Sequence, residues 1–527
     1  MPSTRTVVYD LLRELGMKTI FGNPGSTELA FLADFPKDFR YVLALHEGIA
    51  VGMADGFAQA TGRASFVNLH SSSGPGNAMG AIVNAFHNCA PIVIVGGQQH
   101  RRHLAVEPYL FARAVEMVQP YVKWSCEPTL ASDVPAAIMR AWSVSMQQPM
   151  GPTFVSVPMD DWDAATEVLP ARVGSHRQGA DPERARAFAV RIAASSRPVL
   201  VVGGGVDRAG GWARMVALAE RLGAPVWAAP QAPRTGFPED HRLFAGHLAT
   251  GRAHIASQLS GADLVVVVGA PVFSYLPYEA PEALPPLLLL TDDIAEAARA
   301  PVSEYLVADV DLGLEQVLGF LPTAVRPTGS ASASARPAVV PAPPTTPISS
   351  PFLMDTLAGL LEPADVLVEE SPSNRPELRR RIRIRRPGGF FASASGGLGF
   401  ALPGAIGIKM ADPSRRVVCL VGDGSASYVL QALWTAAQHE IPVTFVVVGN
   451  KSYSVLQSFS RFAGLENVPG LQLNGLDFVA IAGGFGCSAS RVEDPCRLQD
   501  ALATAMADTR PHLVYVDIDP DVPALIG

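Results

Sequence analysis

Two residues that end apolar runs are the first that could do chemistry. RVVCLVGDGS closes on Asp423, flanked by Gly422 and Gly424 and followed by Ser425; the next run, VTFVVVGN, closes on Asn450. The end of a parallel strand is where open α/β sheets place ligands. The glycines allow a tight turn, and Ser425 is expected to open a helix whose free N–H groups attract a phosphate. One carboxylate, one amide oxygen and a backbone carbonyl make a hard-oxygen set suited to Mg²⁺ or Ca²⁺ bridging to a diphosphate. The plain alternative is a pair of ordinary strand-to-helix turns, which a bare Gly-Asp-Gly most often marks.

Three further positions could act on a bound group. Glu47 follows YVLAL and begins the Ala/Gly-rich stretch EGIAVGMADG. There it can simply interact with a helix N-terminus. Buried among Leu45, Ile49 and Val51, it would have a raised pKa and could hold a proton for a heterocyclic nitrogen. His70 ends SFVNLH ahead of the small-residue loop SSSGPGNAMG, so an exposed imidazole at a cleft is expected, against the commoner structural role of a lone His. FGNPGSTE at 21–28 is a strand and a turn presenting Asn23 and Ser26. Dinucleotide binding is disfavoured, because neither Gly74, Gly76 and Gly80 nor VVGGGVDRAGG has the required glycine spacing.

The elements that must hold these residues are legible as short Val/Ile/Leu runs, apolar on both faces, alternating with Ala-rich helical stretches. That is the pattern of parallel strands covered by helices on each side. The first third carries KTIFGNPG, YVLALHEG, SFVNLHSS, PIVIVGGQ and PTFVSVPMD; the middle RPVLVVGGGV, APVWAAPQAP, DLVVVVGAPVF, PLLLLTDD and EYLVADV; the last DVLVEESP, RVVCLVGDG, PVTFVVVGN and HLVYVDIDP. Between the second and third units lies a Pro/Ser/Ala-rich stretch, read as an extended linker. The expectation is an α/β chain of three domains, each a mainly parallel sheet covered by helices, over 1–175, 180–322 and 351–527, with the linker at 323–350.

A chain of 527 residues, 48% hydrophobic and 17% charged, suits a soluble multidomain protein. The formal net charge of −8 offers no basic surface for nucleic acid, and no Lys/Arg-rich run is read as supplying one locally. The five cysteines are scattered and form no CxxC pair, which argues against a zinc site or disulfide framework and for a reducing compartment, the cytoplasm. No secretory leader is read at the N-terminus. The longest apolar runs, such as LVVVVGAPVF at 264–273, fall short of a membrane span.

Taken as an ordered set, FGNPGSTE, Glu47, HSSSGPGNAMG, the central unit, GGLGFALPGAIG at 396–407 and GDGS…GN resemble the thiamine-diphosphate-dependent decarboxylase family over nearly the whole chain. VGGQQHR, SVPMDDWD, ALWTAAQ and ENVPGL resemble its benzoylformate branch in particular. The resemblance implies a pyrimidine-binding first domain, a Rossmann-like central one and a diphosphate-binding last one. It implies that Glu47 hydrogen-bonds N1′ of the cofactor aminopyrimidine, and that Asp423, Asn450 and the carbonyl of Ser452 hold the cation. Leu398 would force the bent cofactor shape, and the carbonyl of Gly396 would accept from the 4′-amino group. Further cofactor contacts are implied at Asn23, Gly25, Asn77, Ser371, Ser373, Gly422, Gly424, Ser425 and Tyr453. Ser26 would meet the substrate carboxylate, His70 would transfer protons, and Leu276, Ala392, Val455 and Phe459 would line the substrate pocket. The active site would form between subunits, in a homodimer at minimum and commonly a homotetramer.

Three departures bear on the reaction. Leu276 stands where the benzoylformate branch has a second active-site His, Gly449 precedes Asn450 where the family has a paired Asn, and Ala392 replaces an aromatic. The activity implied is non-oxidative decarboxylation of an aromatic 2-oxo acid, benzoylformate to benzaldehyde and CO₂. A carboligase or lyase acting on 2-hydroxy ketones and a non-catalytic cofactor-binding paralogue are the alternatives.

Overall fold

The structure is a computed structural model that describes residues 1–172, 174–273, 283–323, 339–521 and 525. The apolar runs become all the inner strands, and two of the edge strands, of three parallel sheets with six strands each. The first contains β1 (Thr19–Asn23), β2 (Arg40–Leu43), β3 (Ser65–Leu69), β4 (Ile92–Gln98), β5 (Ser125–Cys126) and β6 (Pro152–Pro158), in the order β2-β1-β3-β4-β6-β5. The second contains β7 (Pro198–Val202), β8 (Val226–Ala228), β9 (Phe244–His247), β10 (Leu264–Val268), β11 (Leu287–Thr291) and β12 (Glu304–Val307), in the order β12-β11-β10-β7-β8-β9. The third contains β13 (Val366–Glu370), β14 (Phe390–Ala392), β15 (Val417–Gly422), β16 (Thr444–Gly449), β17 (Ser488–Val492) and β18 (His512–Asp517), in the order β14-β13-β15-β16-β18-β17.

The third sheet repeats the strand order of the first, with β13 in the place of β1 and β15 in the place of β3. Both therefore reverse direction at equivalent points, the kind of crevice where open α/β sheets bind ligands. Strands β5, β9, β14 and β17, which the apolar runs did not reveal, are all sheet edges. All five cysteines are free. No helix among the described residues is long and apolar enough to cross a membrane. Most of the expected linker, residues 324–338, lies outside the described residues.

The first and third units pack through their helices. Helix Glu47–Thr61 lies against helix Ala401–Ala411 so closely that a Cβ on Gly407 would stand 1.9 Å from the Met53 carbonyl oxygen. One buried apolar cluster runs through both, with Ile49, Met53 and Ile82 joined to Leu402, Ile406 and Val421. Each such side chain contributes about 1.5–3 kcal/mol on burial. All three units meet at Arg234, which is buried. Its Nε donates to Asp207 at 2.8 Å, its Nη1 donates to the Gln59 carbonyl at 3.0 Å, and its guanidinium stands 4.6 Å from the Phe391 ring centre.

One expectation about charge fails. Arg375, Arg379, Arg380, Arg381, Arg383, Arg385 and Arg386 form a basic run within twelve residues of sequence. The structure turns much of it inward as a bolt between the second and third units. Arg375 donates to Glu369 at 2.6 Å, Arg379 donates to the Ala232 carbonyl at 2.7 Å and stacks over Phe390, and Arg381 pairs with Asp355 at 2.6 Å.

Near that junction Asp55 is fully buried, accepting from Gln59 Nε2 at 2.9 Å and Asn88 Nδ2 at 2.7 Å. Burial pushes its carboxyl up to about 7, while the two amide donors and the Arg234 charge pull the other way. The unfolded chain holds the same group at about 4. Between those values the folded protein binds more protons than the unfolded one, so this group makes stability fall as pH rises through that window, with no further loss above it. Asp55→Asn carries no such proton. The variant is expected to lose less melting temperature than the parent between about pH 5 and about pH 7, read by calorimetry; equal losses would reject the assignment.

Candidate active site

The residues singled out in the first unit gather at the carboxyl ends of β1, β2 and β3. Asn23 ends β1 and donates from Nδ2 to the Ala44 carbonyl at 2.9 Å, tying the β1 turn to the β2 turn. Ser26 is exposed and opens a single 3₁₀ turn, Ser26–Glu28. Glu47 is the first residue of its helix, and the ring of His46 caps that helix by accepting from the Gly48 N–H at 3.1 Å. The Glu47 side chain is buried, and its Oε2 accepts from Asn77 Nδ2 at 3.0 Å. Its apolar surroundings are one-sided, because Ile49 and Val51 are buried but Leu45 is 45% exposed.

His70 is not the open imidazole the sequence suggested. The ring is half-buried, with Nδ1 3.0 Å from Glu28 Oε2 and 3.0 Å from Thr27 Oγ1. Glu28 was not singled out from the sequence. Its signal was the G-S-T-E spacing of a capping box, which the structure realises by the Gly25 N–H donating to Glu28 Oε2 at 2.7 Å. Immediately after His70, Ser71 adopts φ +34° with its hydroxyl buried and unpartnered. A strained non-glycine residue of this kind persists only where its surroundings force it, and such residues cluster at functional sites.

The second group sits at the ends of β13, β15 and β16. Asp423 is 3% exposed, with Oδ1 accepting from the Gly424 N–H at 2.8 Å and Oδ2 from the Lys451 N–H at 2.6 Å. Burial raises its pKa, and the backbone donors oppose that rise. The helical turn begins at Asp423 itself and runs only to Ala426, so Ser425 lies within it and does not open it. Lys451, at φ +58°, turns the chain between Asn450 and Ser452. Asn450 Oδ1 accepts from the Ser452 N–H at 3.2 Å, and its Nδ2 donates to Ser454 Oγ. Ser371 and Ser373, after β13, both receive the Asn374 amide, at 2.9 and 3.4 Å. The Tyr453 ring lies where a Cβ on Gly424 would stand.

Gly396 is exposed, at φ +73°, and Leu398 is half-buried. The chain just beyond them is anchored by Glu370, fully enclosed, which accepts the N–H groups of Gly399, Phe400 and Ala401 at 2.7–2.8 Å. Burial pushes the Glu370 carboxyl up to about 7 despite those donors. Gly449, in place of the family's first Asn, has a local reason. A Cβ there would stand 2.1 Å from the Tyr515 hydroxyl, so the Tyr515 phenol fills the space an Asn side chain would need.

Of the residues expected in the substrate pocket, Val455 and Phe459 line a cavity of about 620 Å³ together with Pro372, Arg375 and Trp227. Ala392 does not belong with them. It is 2% exposed within the apolar cluster of the third unit, on an edge strand whose N–H at that residue donates to the Pro233 carbonyl, so it has no surface to offer a ligand. Leu276 lies outside the described residues. Among the described residues no hydrogen bond or ion pair joins the Ser26/Glu47/His70 group to the Asp423/Asn450/Ser452 group.

The second group has the donor chemistry for a hard cation bridging to phosphate. Asp423 is a buried carboxylate whose oxygens each receive one N–H, leaving lone pairs, and Asn450 Oδ1 belongs to the neighbouring turn after β16, whose Lys451 N–H binds Asp423. Among the described residues no three His, Cys, Asp or Glu gather as a self-sufficient cage. That suits Mg²⁺, which is usually bound by one or two carboxylates plus ligand phosphates.

This division of labour between two sheets defines a class of enzyme, and comparison with known proteins gives it a name. Residues 2–119, 185–317 and 375–516 match the N-terminal TPP-binding, central and C-terminal TPP-binding domains of the thiamine pyrophosphate enzymes, and the chain belongs to that family. It is 42% identical to the benzoylformate decarboxylase of Pseudomonas aeruginosa, over 98% of this chain and 99% of that one. It superimposes on the crystal structure of benzoylformate decarboxylase from Polynucleobacter necessarius with a TM-score of 0.96 at 40% identity, covering 99% of this chain and 100% of that one. The Rhodococcus jostii thiamine diphosphate-dependent 4-hydroxybenzoylformate decarboxylase gives 0.94 at 39% identity, with the same coverage.

Proposed function

We infer that the protein is a thiamine-diphosphate-dependent carboxy-lyase that decarboxylates an aromatic 2-oxo acid, benzoylformate to benzaldehyde and CO₂. The observation that carries this reading is the pairing of two strand-end groups on topologically matched sheets. One supplies a buried acid, an imidazole and an exposed hydroxyl, and the other supplies the Asp423–Asn450 oxygen pair. The likeness to two decarboxylases of such acids supports it.

Thiamine diphosphate, when bound, supplies the electron sink for loss of CO₂. The chain's residues do the rest. Asp423, Asn450 and the Ser452 carbonyl would hold Mg²⁺ or Ca²⁺, which would neutralise the diphosphate charge. Glu47, held through Oε2 by Asn77, is left with Oε1 to hold and move a proton at N1′ of the cofactor. Ser26 presents its hydroxyl to the substrate carboxylate, and His70 exchanges protons through its outer ring nitrogen. The two groups are completed across a subunit boundary, in a homodimer at least and a homotetramer by this reading. The five free cysteines support a reducing, cytoplasmic location.

A second reading, carboligation or cleavage of 2-hydroxy ketones, is favoured by Leu276, which leaves one fewer proton-transfer group than the benzoylformate branch has. The experiment supplies purified protein with thiamine diphosphate, Mg²⁺, benzoylformate and a panel of aliphatic 2-oxo acids, and quantifies CO₂, aldehyde and hydroxy ketone. CO₂ and benzaldehyde in equal amounts are expected. Hydroxy ketone as the main product would favour the second reading, and no turnover of any acid with cofactor binding intact would sink the first.

A further inference from the structure

Glu28 has the environment of a residue built to hold a charge in one place. It is 1% exposed, and a Cβ on Gly97 of the neighbouring strand β4 would fall 1.9 Å from its Oε1. Around the carboxylate stand the Gly25 N–H, 2.7 Å from Oε2, the Thr27 hydroxyl, 2.6 Å from Oε1, and His70 Nδ1, 3.0 Å from Oε2. A carboxylate can only accept, so each of these must donate.

The Thr27 hydroxyl has one proton and two candidate acceptors, Glu28 Oε1 at 2.6 Å and His70 Nδ1 at 3.0 Å. The shorter, charge-assisted bond to Glu28 takes it. His70 Nδ1 is then left to donate its own proton to Glu28. In the neutral ring only one nitrogen is protonated, so Nε2 must carry the lone pair. Nε2 has no hydrogen-bond partner among the described residues, and the strained Ser71 backbone fixes the ring's point of departure from β3.

We propose that Glu28 is a positioning residue that locks His70 in the Nδ1–H tautomer and so presents the Nε2 lone pair as a proton acceptor toward the substrate, beside the cofactor-facing Glu47. The role of Nε2 in turnover rests on the decarboxylase reading; the tautomer does not. With Leu276 in place of a second imidazole, one ring carries this duty, and its protonation pattern decides whether it can begin by accepting a proton.

The test is ¹⁵N NMR of the full-length enzyme labelled at histidine, with His70 assigned by its absence in His70→Ala. Ring shifts distinguish a protonated nitrogen from a bare one, with or without cofactor. The wild type and Thr27→Val are both expected to show protonated Nδ1 and bare Nε2. In Glu28→Leu the Thr27 hydroxyl loses its carboxylate and donates to Nδ1, so the protonated nitrogen switches to Nε2. In turnover kcat, expressed per folded protein by circular dichroism, falls at least a hundredfold in that variant with KM changed less than threefold, whereas a loss that only follows the folded fraction marks a structural role. A wild-type ring protonated at Nε2 overturns the proposal whether or not Glu28→Leu folds or the decarboxylase reading holds, and so does a folded Glu28→Leu protein that keeps Nδ1 protonated. A wild type with the expected tautomer but no turnover of any 2-oxo acid rejects the decarboxylase reading and leaves the positioning role in place.

Discussion

Glu47→Gln is expected to lose turnover while keeping its fold and its bound cofactor. The side chain is buried at the first position of helix Glu47–Thr61, with Oε2 held by Asn77 at 3.0 Å. Glutamine has nearly the same shape, and its carbonyl oxygen can take the Asn77 hydrogen bond. The other end becomes an NH₂ group, which can donate a hydrogen bond but cannot take up and return a proton at neutral pH. Removing a positioned acid–base group costs about 10²–10⁴ in rate, and here the same proton is needed in every turnover. The measurement is kcat by CO₂ release at saturating thiamine diphosphate, beside the melting temperature with and without cofactor. A variant with near-parental kcat would refute the proton role of Glu47. One that melts many degrees lower would place Glu47 among the structural residues instead.

How much of this was legible in the sequence follows from where each side chain gets its partners. Inner strands are covered on both faces and leave continuous apolar runs such as LVVVV at β10, so the class and the three sheets could be read directly. Edge strands are not under that constraint. β17 reads SASRV with only Val492 buried, and β5 is two residues long, so neither leaves a pattern. Strand-end residues Asp423, Asn450, Glu47 and His70 could be singled out because position along the chain is also position in the sheet. Glu28 could not, because its meaning comes from His70 on another strand and Gly97 on a third. Ala392 was misplaced for the opposite reason. Its likeness to an aromatic pocket position is a matter of alignment, whereas its burial is set by the register of β14 with β13, where it pairs with Glu369. Net charge conceals the arginines of 375–386, because their local excess is answered by Glu369 on the adjoining strand and by Glu239 and Asp355 from farther along the chain.

Asp423→Asn is expected to separate the stability of the protein from that of its complex. Asp423 is a buried carboxylate with two backbone N–H donors and no Lys or Arg ion pair among the described residues. Holding a negative charge there is costly unless a cation arrives, and burial raises its pKa accordingly. In the apo protein the substitution removes that charge and sacrifices one backbone hydrogen bond, worth about 0.5–1.5 kcal/mol. The two effects oppose each other, so the apo melting temperature should move by only a few degrees. The complex responds differently. A ligand present at a hundredfold excess over its Kd stabilises the folded state by about 2.7 kcal/mol, and a site that has lost the Asp423 carboxylate forfeits most of that gain. Thermal shift with thiamine diphosphate and Mg²⁺, followed by EDTA, reads both. The parent should rise with the pair and fall back with EDTA, while the variant should stay flat through both additions. A variant that still rises and still responds to EDTA would move the cation away from Asp423, and the diphosphate with it.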